Sequence, residues 1–91
     1  MPQREILLVE DYAPVARVLS VMLRRVTGRP VRVADGPTQA FDLLEAHGTD
    51  HWYAAVVDLH LAAPVTGIEV LDRVAVQSPE VFRILMSGDL E

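Results

Sequence analysis

Four polar groups each follow a short apolar run. Glu10 and Asp11 come after Ile6-Leu7-Leu8-Val9, Asp58 after Ala54-Ala55-Val56-Val57, and Ser87 after the mostly apolar stretch 81–86. Carboxylates and a hydroxyl are hard oxygen groups suited to holding a cation or to nucleophilic work. If the runs are strands of one sheet, and the first and third are neighbours, three carboxylates converge beyond the strand ends. Like charges that close raise one another's pKa unless something positive neutralises them. The chain has no lysine, and no arginine adjoins these acids in sequence. A divalent ion is then the available counter-charge, and oxygen-only ligands in a partly hydrated site favour Mg2+ over softer metals. Acids and serines after strands also serve as helix caps and turn formers. What calls for a functional reading is four of them in register at one sheet edge.

The elements that must position these groups can be read from the apolar pattern. Ile6-Leu7-Leu8-Val9 reads as a strand buried on both faces. Pro14 fits the first turn of a helix, in which Val15, Val18, Leu19, Met22, Leu23 and Val26 recur at helical spacing before Thr27-Gly28 closes it. Val31-Arg32-Val33 reads as a second strand, and Asp35-Gly36-Pro37 turns the chain into a helix. Ala40, Leu43, Leu44 and His47 mark the inward face of that helix, which ends at Gly48. Ala54-Ala55-Val56-Val57 is a third buried strand. A loop with Pro64 and Gly67 leads to a helix marked by Ile68, Leu71, Val74 and Ala75, which Pro79 stops. Residues 81–86 form a fourth strand. The order β-α-β-α-β-α-β predicts an open α/β sheet, whose functional crevice lies beyond the carboxyl ends of the strands.

Composition narrows the function classes. Ninety-one residues, 51% hydrophobic and 23% charged, describe one domain spanning 1–91. A net charge of -5 gives no basic surface for nucleic acid, and the pair Arg24-Arg25 suits a helix C-terminus instead. The absence of cysteine excludes disulfides, thiolate metal sites and cysteine nucleophiles. No apolar run approaches the length of a membrane span, and the start resembles neither a signal nor a transit peptide. A cytoplasmic location without membrane association is expected. His47 is expected as half-buried packing, His60 as an exposed loop residue, and Asp89 as solvated. His51, Trp52 and Tyr53 are expected as a lid ahead of the third strand.

With those residues in place, the chain resembles the receiver domain of two-component response regulators. The matching stretches are Ile6-Leu7-Leu8-Val9-Glu10-Asp11, Val33-Ala34-Asp35-Gly36 with Ala40 and Leu43-Leu44, Val56-Val57-Asp58-Leu59 with Gly67 and Leu71, and Ile84-Leu85-Met86-Ser87-Gly88. They run the length of the chain, and their order and spacing carry the match, since each piece alone is weak. The resemblance implies a flavodoxin-like, doubly wound parallel sheet of strand order 2-1-3-4, without the family's last helix-strand-helix. It implies that Asp58 is the phosphoacceptor and that Ser87 contacts the phosphoryl group. Glu10, Asp11, Asp58 and the backbone carbonyl of His60 would hold Mg2+. The partner would be a histidine kinase or phosphotransfer protein, and the domain would be a signalling module, not an enzyme.

Two departures from the family pattern are visible. The family usually has a proline four positions after the phosphoacceptor and a glycine eight after. Here position 62 is Ala, the proline is Pro64, and Gly67 stands nine positions after Asp58, so the loop over 59–66 is one residue longer. The family's lysine, carried after a fifth strand, has no counterpart in these 91 residues. That motivates an alternative, a phosphorylation-independent pseudo-receiver acting as a protein interaction module. A phosphatase or dehalogenase-like hydrolase is a third reading. Such enzymes place a second acid two residues after the nucleophile, where this chain has His60. Finally, a fourth strand without a neighbour leaves Phe82, Ile84, Leu85 and Met86 on an edge protected inside the strand only by Arg83, which predicts a dimer or an edge-paired assembly.

Overall fold

The computed structural model describes residues 3–48, 50–61 and 66–86. The elements run β1 (Glu5–Val9), α1 (Ala13–Thr27), β2 (Val31–Ala34), α2 (Pro37–Ala46), β3 (Trp52–Asp58), α3 (Gly67–Gln77) and β4 (Phe82–Met86). All four strands are parallel, in the order β2-β1-β3-β4. Parallel strands need helical crossovers, and helices on both faces explain why β1 and β3 read as continuous apolar runs rather than alternating ones. All five residues of β1 are buried.

Local chemistry sets the helix ends. Pro14 stands in the first turn of α1 and Pro37 opens α2, positions where a missing N–H costs nothing. Gly28 closes α1 at φ 70°, a left-handed conformation that glycine adopts freely, and its N–H donates to the Arg24 carbonyl at 2.8 Å. Thr66 caps α3 by accepting a hydrogen bond from the Glu69 N–H at 3.3 Å.

Side chains alternate between the two faces of the sheet. Leu7, Val9, Ala55 and Val57 point to one face, where Leu44 of α2 and Val70 and Val74 of α3 cover them. Ile6, Leu8, Ala54 and Val56 point to the other, where Leu19 and Leu23 of α1 pack. The buried residues of α1 are small, Ala16 and Ser20, while Val15, Val18, Met22 and Val26 are exposed. The apolar spacing on α1 is therefore wider than the stripe that meets the sheet. Ile68 of α3 also points outward, at 50% exposure, and Val70 takes the inward position beside Val74.

Three expectations need correction. Trp52 is not part of a lid: it opens β3 and lies in the core at 1% exposure, with Tyr53 following it in the strand. A register shift between Glu5 and Ile6 pairs Glu5 with Trp52, which lengthens both strands at this end. His47 lies beyond α2 as its C-cap residue, half-buried as expected. The fourth strand begins at Phe82, with Val81 buried just ahead of it. Residues 62–65, including Ala62 and Pro64, and residues 87–91, including Ser87, Gly88 and Asp89, lie outside the described residues.

Candidate functional site

β1 and β3 are neighbours in register, with Val9 opposite Val57. Glu10 follows the end of β1 and Asp58 is the last residue of β3, so parallel pairing brings the two acids to the same sheet edge. Glu10, Asp11 and Asp58 each offer a carboxylate oxygen within 4.8 Å of the others. The convergence expected from the sequence is present.

The three acids sit in different surroundings. Glu10 is buried and Asp58 half-buried, while Asp11 is exposed. Backbone bonds hold Glu10 in place. Its N–H donates to the Ala34 carbonyl at 3.0 Å, and its Oε1 accepts from the Tyr12 N–H at 3.1 Å. Burial pushes the Glu10 carboxyl above its ordinary value of 4.5. The Tyr12 N–H opposes this, whereas the charges of Asp58 and Asp11 and a side-chain hydrogen bond with Asp58 add to the rise. Asp58 Oδ1 accepts from the His60 N–H at 3.0 Å, and His60 is exposed in the loop as expected.

Two contacts at this site were not legible in the sequence. Arg17, on the second turn of α1, lines the same cavity as Glu10, Asp11 and Asp35, so a cation does reach the edge of the crevice. Gly67 opens α3 directly beneath the phosphoacceptor candidate. A Cβ there would run into the Asp58 carbonyl and lie 3.0 Å from the Leu59 Cα. The Gly67 N–H donates to the Leu59 carbonyl at 3.4 Å, and the Leu59 N–H donates to the Met86 carbonyl at 2.8 Å. These bonds tie the end of β3 to both α3 and β4.

Chemically, the donor set consists of oxygens that only accept when ionised. Burial first and mutual repulsion second raise the Glu10 pKa, and a small divalent cation would relieve the repulsion. The residues present fit Mg2+.

No family model and no curated protein matches the sequence. Solved structures do. A response regulator from Burkholderia pseudomallei, crystallised with a phosphorylated aspartic acid, a calcium ion and citrate, superposes with a TM-score of 0.81 at 24% identity; the match covers 98% of this chain and 49% of that one. A response regulator from Thermotoga maritima in complex with Mg(2+)-BeF gives 0.80 at 17% identity, covering 94% of this chain and 70% of that one. The signal receiver domain of an HD domain-containing protein from Pseudomonas fluorescens Pf-5 gives 0.80 at 28% identity, covering 98% and 67%. The chain thus spans about half the length of the Burkholderia structure.

Proposed function

We propose, from the receiver-domain fold that this chain shares with those response regulators, that it is a phosphoacceptor signalling domain of a two-component phosphorelay. The observation that carries this reading is the meeting of Glu10, Asp11 and Asp58 at the carboxyl ends of β1 and β3. In it, a histidine kinase or phosphotransfer protein presents a phosphohistidine to Asp58. A carboxylate oxygen of Asp58 attacks phosphorus, the P–N bond breaks, and its electron pair leaves with the imidazole, so that Asp58 becomes an acyl phosphate. The His60 N–H fixes the orientation of the carboxylate through Oδ1. Glu10, Asp11, Asp58 and the His60 carbonyl would hold Mg2+, which when bound neutralises charge on the phosphoryl oxygens. Ser87 would contact the phosphoryl group.

The reaction is a self-modification that alters a signalling surface, so the domain is a signalling module rather than an enzyme acting on a metabolite. No helix of the described residues is long and apolar enough to cross a membrane, and the cytoplasm, where such kinases donate phosphoryl groups, is the proposed location. The β4 edge and the apolar surface beside it support self-association as the third element of the reading. Phe82, Ile84 and Leu85 are all more than two-fifths exposed. Beside α1, a trough of about 320 Å³ is lined by Ile6, Leu23, Tyr53, Val56, Phe82 and Ile84.

Beryllofluoride, which mimics a phosphoryl group on a carboxylate, tests the site. Fluorine NMR with Mg2+ present should show a protein-bound signal for the natural chain and none for Asp58→Asn. A bound signal in both would remove Asp58 from the role.

A further inference from the structure

A second cluster of ligating side chains stands at the opposite end of the sheet from the carboxylate crevice. Glu5 opens β1, His47 caps α2, and His51 immediately precedes β3. A hydrogen bond from the His51 N–H to the Gly48 carbonyl at 3.2 Å folds the connection so that the two histidines meet. Another from the Glu5 N–H to the His51 carbonyl at 3.1 Å ties that connection to β1. The imidazole rings stack with centroids 3.9 Å apart and planes 13° apart. His51 Nε2 and Glu5 Oε1 are 2.5 Å apart. Ligand atoms of Glu5, His47 and His51 all lie within 4.8 Å of one another.

We infer that Glu5, His47 and His51 form a binding site for a borderline divalent transition metal, with Zn2+ the fitting ion. Two imidazole nitrogens and one carboxylate oxygen are a donor set that such ions prefer and that Mg2+ does not. The surroundings suit a metal in a further way. Arg32 Nε donates to Glu5 Oε2 at 3.1 Å, which holds the carboxylate while leaving Oε1 to face the histidines. On binding, the proton bridging His51 and Glu5 passes to solvent and its place is taken by the ion. The rings leave their parallel stack as one imidazole turns to aim its lone pair. Both histidines are only half-buried, so each ring borders solvent into which it can turn. Three protein ligands leave the fourth position to water.

The protein carries its own reporter. Trp52, the single tryptophan, lies edge-on to both rings, 4.6 Å from His51 and 5.4 Å from His47. The carboxylate crevice lies at the far end of β3, roughly 20 Å away by strand rise. Copper(II), which prefers the same ligands and quenches tryptophan, serves as the probe on the full chain, with Zn2+ as competitor. The site should show saturable one-to-one quenching that Zn2+ reverses and excess Mg2+ does not. His47→Asn and His51→Asn should each weaken the quenching tenfold or more, while Asp58→Asn leaves it unchanged. Two single variants keep the test sound if one folds poorly, and circular dichroism of each identifies that case. No saturable quenching, quenching that survives in a folded His47→Asn or His51→Asn chain, or quenching lost in Asp58→Asn would each overturn the inference.

Discussion

Gly67 and Asp58 are in backbone contact: the first residue of α3 lies so close under the end of β3 that a Cβ at 67 would overlap the Asp58 carbonyl. The requirement is closeness rather than a special dihedral, because only a hydrogen fits between the two backbone segments. Gly67→Ala should push α3 or the end of β3 aside. The expected loss of stability is roughly 1–3 kcal/mol, the range typical of forced overpacking. Chemical denaturation checks the loss, and metal or beryllofluoride binding should weaken with it, since Asp58 moves. An alanine variant of unchanged stability and binding would show that the approach is looser than described.

Burial, with charge repulsion in the crevice adding to it, gives Glu10 a pH dependence of definite sign. The Glu10 carboxyl is raised above 4.5 in the folded chain, so the folded state holds this proton more tightly than the unfolded one. Stability therefore falls as pH rises from about 4.5 through the raised value, and the cost is fully present above that value. Asp58→Asn removes part of the repulsion while keeping an acceptor for the His60 N–H. Its Tm at neutral pH should rise by up to roughly 5 °C, about 1 kcal/mol in a domain of this size, and the advantage should shrink as pH falls through the raised value towards 4.5. A variant less stable at neutral pH would contradict this.

Glu5 should behave in the opposite way. Burial raises its pKa, but hydrogen bonds from His51 and Arg32 and their charges outweigh this and bring it below 4.5. The stability it contributes is present above 4.5 and is lost as pH falls through the lowered folded value. Glu5→Gln should flatten the acid limb of a stability-versus-pH curve, and an unchanged limb would argue against the ion pair.

Metal affinity should rank the crevice residues. Asp11→Ala removes a proposed direct ligand and should weaken Mg2+ binding tenfold or more. Ser87→Ala, which removes a hydroxyl proposed to touch the phosphoryl group rather than the ion, should change it far less. Calorimetric titration showing the reverse order would reassign the ligands.

Much of this arrangement was readable because strand ends carry their chemistry in sequence. The apolar runs ending at Val9 and Val57 are short and unambiguous, and parallel pairing then brings Glu10 and Asp58 together. The parts that were not readable depend on contacts between distant residues. Trp52 follows turn-forming residues and looks like loop, yet the register shift at Glu5 extends β3 to include it. His51 and Glu5 are 46 positions apart, so no local pattern announces their pairing. On α1 periodicity reveals an apolar stripe but not which edge of it meets the sheet; close packing selects Ala16 and Ser20 over the bulkier valines.

The exposed side of β4 bears on assembly. Phe82 is 61% exposed and Ile84 48%. Light scattering over a concentration series should show dimers or larger species, and Ile84→Glu, which puts a charge on the apolar face beside α1, should shift the chain toward monomer. A monomer at all concentrations would remove self-association from the account.

The most direct measurement of the central claim is intact-mass spectrometry after incubation with acetyl phosphate. One added phosphoryl group is expected on the natural chain with Mg2+ present, and none when Mg2+ is chelated or in Asp58→Asn. An unmodified natural chain in the presence of Mg2+, or an Asp58→Asn chain modified to the same extent, would contradict it.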